Sequence, residues 1–196
     1  MIQYGKNKYK NDLKALWKRC FPQDTDRFVA LYFDEIYKND ESLLYLDDHC
    51  PLAFLQMIPY SIQTGRGIYS AAYLSGIMTH PEYRGKGYMT QLLTASFDEM
   101  VKKGYDYTFL IPQQRGLAGM YANYGFRLCE PSSQPPVNQV LKTPGQWAVI
   151  RQDFFDENGV WLEKEPAFPN EQKGMIKRLN PEAEEITALY MGMMLD

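Results

Sequence analysis

The chemistry most readily stated lies in the segment Arg84-Gly85-Lys86-Gly87-Tyr88-Met89. An apolar run over residues 68–79 leads through Pro81-Glu82-Tyr83 into this segment, and a helical pattern follows at once. A helix N-terminus presents unpaired backbone N–H groups and a partial positive charge of about half a unit. Glycines in the approach let the backbone come close to an anion, so the arrangement suits a phosphate or pyrophosphate. Arg84 and Lys86 add positive charge at the same spot. Taken alone, Arg-Gly-Lys-Gly also reads as an ordinary basic turn at a helix start. A P-loop would need Gly-x-x-x-x-Gly-Lys-Ser/Thr, which is absent. A dinucleotide fingerprint would need a third glycine where Thr90 stands, and it would follow parallel strands rather than the antiparallel ones expected here. No serine lies in a Gly-x-Ser-x-Gly elbow. The two histidines, His49 and His80, and the scattered Cys20, Cys50 and Cys129 do not stand at metal-ligand or disulfide-frame spacing, so no metal site and reduced thiols are expected.

The elements that would carry this segment follow from periodicity. Residues 1–4 read as a short first strand. Leu13, Leu16, Trp17 and Cys20 recur at helical spacing between Asn11 and Cys20, and Pro22 ends that helix. Asp24 or Thr25 can cap a second helix with Phe28, Val29, Tyr32, Phe33 and Ile36 on its apolar face. A strand over Ser42–Leu46 and a turn at Asp47-Asp48 precede two apolar runs, 52–64 and 68–79, joined by Gly65-Arg66-Gly67. These two runs predict a long antiparallel hairpin. Met89, Leu92, Leu93, Phe97, Met100 and Val101 share one face of the next helix, which Gly104 closes as a C′ residue. A strand at Tyr107–Ile111, a short helix over 115–124 ending at Gly125, and a strand at Phe126–Cys129 complete this part. Residues 131–145 hold four prolines and read as a loop. Strands are expected at Gln146–Phe155 and Met175–Leu179, and a final helix at Pro181–Met191 begun by Asn180. The element order predicts a mixed α/β (α+β) fold.

The chain has 196 residues, 21 Lys+Arg against 24 Asp+Glu, and 15 Tyr, 10 Phe and 3 Trp. That length suits one domain, and the apolar content rules out disorder. A formal charge of −3 argues against a nucleic-acid partner. The first twenty residues are polar and lysine-rich, and the longest charge-free stretch, His49 to Gly65, is too short and polar to span a bilayer. A cytoplasmic protein with no membrane partner is the expectation.

The segment Ile77-Met78-Thr79-His80-Pro81-Glu82-Tyr83-Arg84-Gly85-Lys86-Gly87 resembles the central strand and pyrophosphate loop, Gln/Arg-x-x-Gly-x-Gly/Ala, of the GNAT superfamily of acyl-CoA N-acyltransferases. About forty residues on, Met120-Tyr121-Ala122-Asn123-Tyr124-Gly125-Phe126 resembles that family's Leu-Tyr-x-x-x-Gly-Phe block. Two landmarks in order and at the right separation are far more specific than either alone. The Arg-Gly-x-Gly-Tyr-Met-Thr run is also similar to the enhanced intracellular survival acetyltransferases. The resemblance implies a mostly antiparallel sheet with a splayed central strand flanked by helices. It covers residues 40–130 well and the last 66 hardly at all, so one domain over 1–196 is expected, with a core over 1–130 and strands and a helix over 131–196 that complete or extend the sheet.

The resemblance also implies acetyl-CoA as co-substrate. Ile77, Met78 and Thr79 would pair with the pantetheine arm as an added strand would. The amides of Gly85, Lys86, Gly87, Tyr88 and Met89 would hold the pyrophosphate, with Arg84 shaping the loop. Met89 departs from the usual Gly or Ala, and Gln114 stands where many relatives carry an Asn that touches the CoA arm. A backbone N–H near Met78 or Thr79 would polarise the thioester oxygen. Tyr121 falls where the family places a general acid: a phenol of pKa about 10 stays protonated near neutrality and can serve a thiolate whose thiol has a pKa of about 8.5. Tyr121 as one more core tyrosine, or as packing for the CoA arm, is the alternative, and Tyr124 reads as packing. For a general base, His80 is chemically suited, though its place before Pro81 favours a strand-end or capping role. Glu41 and Glu82 carry no positive argument. The expected activity is acetyl transfer from acetyl-CoA to a primary amine, borne by a small molecule or a protein, with a homodimer as one arrangement. Two alternatives are a non-catalytic acyl-CoA-binding or sensing protein of the same fold and an oligomeric scaffold of that fold that binds no CoA.

Overall fold

The structure, a computed structural model, describes residues 1–113, 116–131, 139–141 and 174–189. Lys10–Cys20 form α1 and Asp26–Leu31 form α2, which runs on into a π-helical turn over Tyr32–Ile36. The apolar spacing of α1 buries Leu13, Leu16 and Trp17, while Asp12 in its first turn and Lys18 and Arg19 in its last complement the helix dipole. Thr25 caps α2 by accepting from the Phe28 amide at 3.1 Å. The π turn closes with Tyr37 N–H donating to the Tyr32 carbonyl at 2.8 Å, and it buries Tyr32, Phe33 and Ile36 together.

The strands are β1 (Ile2–Tyr4), β2 (Ser42–Asp47), β3 (Cys50–Gln63), β4 (Ile68–Thr79), β5 (Tyr107–Leu110), β6 (Arg127–Leu128), β7 (Glu130–Pro131), β8 (Gln139–Leu141), β9 (Met175–Arg178) and β10 (Ala188–Leu189). The remaining helices are α3 (Tyr88–Lys102) and α4 (Leu117–Ala122). Among the described residues eight strands form one mixed sheet in the order β1-β2-β3-β4-β5-β9-β6, with β8 on β3, and β7 and β10 form a separate parallel pair. The pairs β1–β2, β2–β3, β3–β8, β5–β9 and β6–β9 are antiparallel, whereas β4–β5 is parallel. The fold is thus the mixed α/β class that the element order predicts.

The chain divides into two compact units, Met1–Ile58 with Leu74–Glu99, and Pro59–Tyr73 with Met100–Asp196. In the first, β3 is buried continuously from Pro51 to Ile58, as a strand covered on both faces must be. Phe54 and Phe33, Tyr32 and Trp17 from the helices make its aromatic core. In the second, Tyr60, Tyr73 and Phe109 stack edge to face or tilted, and Tyr107, Phe126, Met175 and Ile176 are buried with them. There Asp106 ties three segments: its carboxylate accepts from the Ser70 amide and hydroxyl at 2.9 Å each and from Asn180 Nδ2 at 2.8 Å. Burial pushes its pKa up, but the hydrogen bonds from Asn180 and Ser70 outweigh burial and hold it below the usual carboxylate value.

Four expectations are corrected. The β2–β3 turn is Asp48-His49, not Asp47-Asp48: both turn residues have positive φ (43° and 65°), and Asp47 still pairs with Cys50. A two-residue turn of this hand matches the strand twist. Val101, assigned to the apolar face of α3, is 57% exposed at the helix end. The loop expected over 131–145 contains β8, whose Val140 is buried and pairs with Ile62. The helix expected from Pro181 is absent over the described residues 181–189. Asn180 instead makes a turn, with its Oδ1 accepting from the Glu182 amide at 3.0 Å and its carbonyl from the Ala183 amide, and the chain reaches β10. The strand expected at Gln146–Phe155 lies outside the described residues.

Candidate functional site

The approach to the loop begins inside β4. Its ladder with β5 covers Ala71, Ala72 and Tyr73 opposite Tyr107, Thr108 and Phe109, and β4 continues to Thr79. In this continuation Gly76 has φ +60°, and a Cβ there would lie 2.7 Å from Trp17 Cζ3 and 2.9 Å from Phe54 Cε1. The left-handed residue breaks the pleat, and only glycine lets the indole and the phenyl ring close on the strand. This position escaped the sequence reading, although a lone glycine inside a strand pattern is itself a signal of a bulge or a close approach. Of the next residues, Met78 is buried and Ile77 and Thr79 are half-buried.

His80 extends the β3 pairing by one bond, its amide donating to the Leu52 carbonyl at 2.8 Å. A single 3₁₀ turn over Pro81–Tyr83 then leads to Arg84. Gly85 and Gly87 have φ +76° and +80°, and no atom lies within 4 Å of where their Cβ atoms would stand. These two glycines are therefore required by backbone conformation rather than by crowding, and the loop they make is open. Among the described residues the amides of Gly85, Lys86, Gly87, Tyr88 and Met89 have no backbone acceptor, and the Gln91 amide donates to the Gly87 carbonyl at 3.1 Å in the first turn of α3. Five consecutive donors thus stand at the N-terminus of a fifteen-residue helix.

Side chains brace this loop. Arg84 Nε donates to the Thr79 carbonyl at 3.3 Å, and Cys20 Sγ at the end of α1 donates to the same oxygen at 3.4 Å. Burial pushes the Cys20 thiol up, against the lowering effect of Arg84, so it stays a donor rather than a nucleophile. Lys86 Nζ sits 4.7 Å above the Tyr83 ring, and the Tyr88 ring packs 4.5 Å from that of Tyr45. Met89 is half-buried in the first turn of α3, where its amide is presented as any residue's would be. Gln114 lies outside the described residues.

His80 is a poor general base in this setting. Arg19 Nη1 lies 2.7 Å from its Nε2, and a guanidinium only donates, so Nε2 must accept and the neutral ring carries its hydrogen on Nδ1. The lone pair a base would use is thus engaged. Nδ1 and the neighbouring Thr79 Oγ1 are buried without hydrogen-bond partners, two unsatisfied polar atoms at the strand end just before the loop. Glu82 is exposed, and Glu41 Oε2 accepts from the buried Gln56 amide at 3.1 Å.

Tyr121 belongs to the second unit and is 6% exposed at the end of α4. The Phe126 amide donates to the Tyr121 carbonyl at 3.3 Å and the Gly125 amide to that of Ala122 at 2.9 Å, with Gly125 at φ +85°. These are the two bonds of a Schellman cap, and the Tyr121–Phe126 ring contact, at 6.0 Å between centroids, is its accompanying apolar pair. The spacing Tyr-x-x-x-Gly-Phe is therefore a helix stop that fixes where the tyrosine sits. Tyr124 is half-buried, its amide completing the same turn.

A glycine loop opening into a helix at the end of a kinked strand of a mixed sheet has the geometry of an anion-binding loop. The chain belongs to the family described as the acetyltransferase (GNAT) domain, whose model matches residues 2–129. Solved structures share the fold. YhbS from Escherichia coli, a GNAT family N-acetyltransferase in complex with CoA, is 17% identical with a TM-score of 0.63, covering 97% of this chain and 88% of that one. A GNAT family acetyltransferase from Brucella melitensis in complex with acetyl-CoA is 15% identical with a TM-score of 0.56, over 74% and 96%. Eis1 from Mycobacterium abscessus is 14% identical with a TM-score of 0.56, over 64% and 31%. The chain spans about a third of the length of several of the structures it matches. No curated protein sequence matches it. Among the described residues no helix is long and apolar enough to cross a membrane.

Proposed function

We propose that this protein is an N-acetyltransferase that moves the acetyl group of acetyl-CoA to a primary amine by direct attack. The observation that carries the reading is the open left-handed loop of Gly85 and Gly87, which hands five unpaired amides to the N-terminus of α3. A pyrophosphate fits such a cradle: the donors are preorganised, nothing crowds the glycines, and Arg84 and Lys86 supply positive charge. The orphaned Thr79 hydroxyl beside it is a further unmet polar group.

In this reading the amides of Gly85, Lys86, Gly87, Tyr88 and Met89 bind the pyrophosphate and Arg84 holds the loop against the end of β4. The edge of β4 at Ile77, Met78 and Thr79 pairs with the pantetheine arm, and an N–H near Met78 or Thr79 polarises the thioester oxygen. The amine nitrogen bonds to the carbonyl carbon and the carbon–sulfur bond breaks. Tyr121 gives its hydroxyl proton to the departing sulfur, and water removes the proton lost by the amine, since Arg19 occupies the His80 lone pair.

The test is release of free thiol from acetyl-CoA across a panel holding a polyamine, an aminoglycoside, an amino acid and a lysine peptide. Release well above the rate of hydrolysis with at least one class is expected. Acetyl-CoA that binds yet yields no thiol with any class overturns the enzyme in favour of an acyl-CoA sensor.

A further inference from the structure

The carbonyl of Tyr124, at the α4 stop, is not among those that accept in the Schellman bonds. Lys177 meets it: its Nζ donates to the Tyr124 oxygen at 2.5 Å. The register makes this reach possible. On β9, Ile176 pairs with Arg127 and Met175 with Leu128, so Lys177 falls beside the chain just before β6, next to Gly125. A Cβ on Gly125 would stand 3.1 Å from that Nζ, so the glycine serves both the positive φ and the approach of the amine. On its other side Lys177 pairs with Thr108, and β9 is thereby held between β5 and β6. A lysine on the last carbonyls of a helix also suits the dipole, although a six-residue helix alone is too short to be stable.

We infer that Lys177 is a positioning residue for Tyr121, fixing the end of α4 on β9 and so the place of the tyrosine hydroxyl. The inference rests on Tyr121 as the proton donor of the proposed reaction. Half-buried and lowered by burial in its pKa, the amine keeps an N–H to donate whether charged or neutral. Substitution by methionine keeps the aliphatic stem and removes the donor.

A double-mutant cycle tests this. Lys177→Met is expected to lower kcat about tenfold at unchanged KM for acetyl-CoA, and to have no further effect in a Tyr121→Phe background. Lys177→Arg, which retains a donor, is expected to restore part of the loss. An equal loss in both backgrounds, or an unchanged kcat in the folded Lys177→Met protein, overturns the inference. If Tyr121→Phe alone leaves kcat unchanged, the reading of Tyr121 fails instead. A second readout needs no turnover. In protein labelled with [¹³Cζ]tyrosine, the Tyr121 resonance, assigned by its loss in Tyr121→Phe, should shift in Lys177→Met. An unmoved resonance contradicts the inference.

Discussion

Tyr121→Phe is expected to lower kcat for acetyl transfer by about a hundredfold, at the lower end of what proton transfer by a positioned side chain contributes. The substitution removes one oxygen from a ring whose packing against Phe126 is apolar, so the Schellman stop and the fold should survive. Because the phenol acts only as sulfur leaves, the KM for acetyl-CoA should change little, the signature of an interaction made in the transition state. The measurement is steady-state thiol release at saturating acetyl-CoA with the best amine of the panel. An unchanged kcat would return Tyr121 to the core as a packing residue.

Gly76→Ala is expected to destabilise the first unit strongly. A left-handed conformation costs a non-glycine residue about 1–2 kcal/mol. Overpacking adds about 1–3 kcal/mol, here because the new carbon falls 2.7 Å from Trp17 and 2.9 Å from Phe54, both buried rings. The sum, about 2–5 kcal/mol, corresponds to a fall in Tm of about 10 °C for a chain of this size. Gly85→Ala serves as the contrast: its φ is +76° but its surroundings are open, so only the conformational part should be lost. Thermal unfolding of the two variants separates crowding from backbone strain, and equal shifts would show that the indole gives way.

What could be read from the sequence was what is local. The spacing of Leu13, Leu16 and Trp17 gave α1, and the glycine turn between two apolar runs gave the β3–β4 hairpin, because helix and strand periods act within a few residues. Gly85 and Gly87 were legible for the same reason, as backbone demands that no other residue meets cheaply. The departures arise where distant groups decide. Asn180-Pro181-Glu182 carries every mark of a helix start, yet Asp106 captures the Asn180 amide group and Tyr107 donates to the Glu184 carbonyl at 2.6 Å, so the segment is spent on a turn. The purpose of Gly76 depends on rings from α1 and β3, and that of Lys177 on the register of β9 against β6. Neither relation is written in neighbouring residues. Tyr121 could be picked out as a landmark, but only the paired bonds to the carbonyls of Tyr121 and Ala122 explain why glycine and phenylalanine follow it at that distance.

The central claim is that the loop from Arg84 to Met89 takes the pyrophosphate of an acyl-CoA. Calorimetric titration of the protein with acetyl-CoA tests it most directly. One equivalent should bind with a dissociation constant between about 1 μM and 1 mM, the usual range of substrate KM values. Added salt should weaken the binding, because Arg84 and Lys86 are exposed. The absence of any binding heat or thermal stabilisation at millimolar acetyl-CoA would contradict the account.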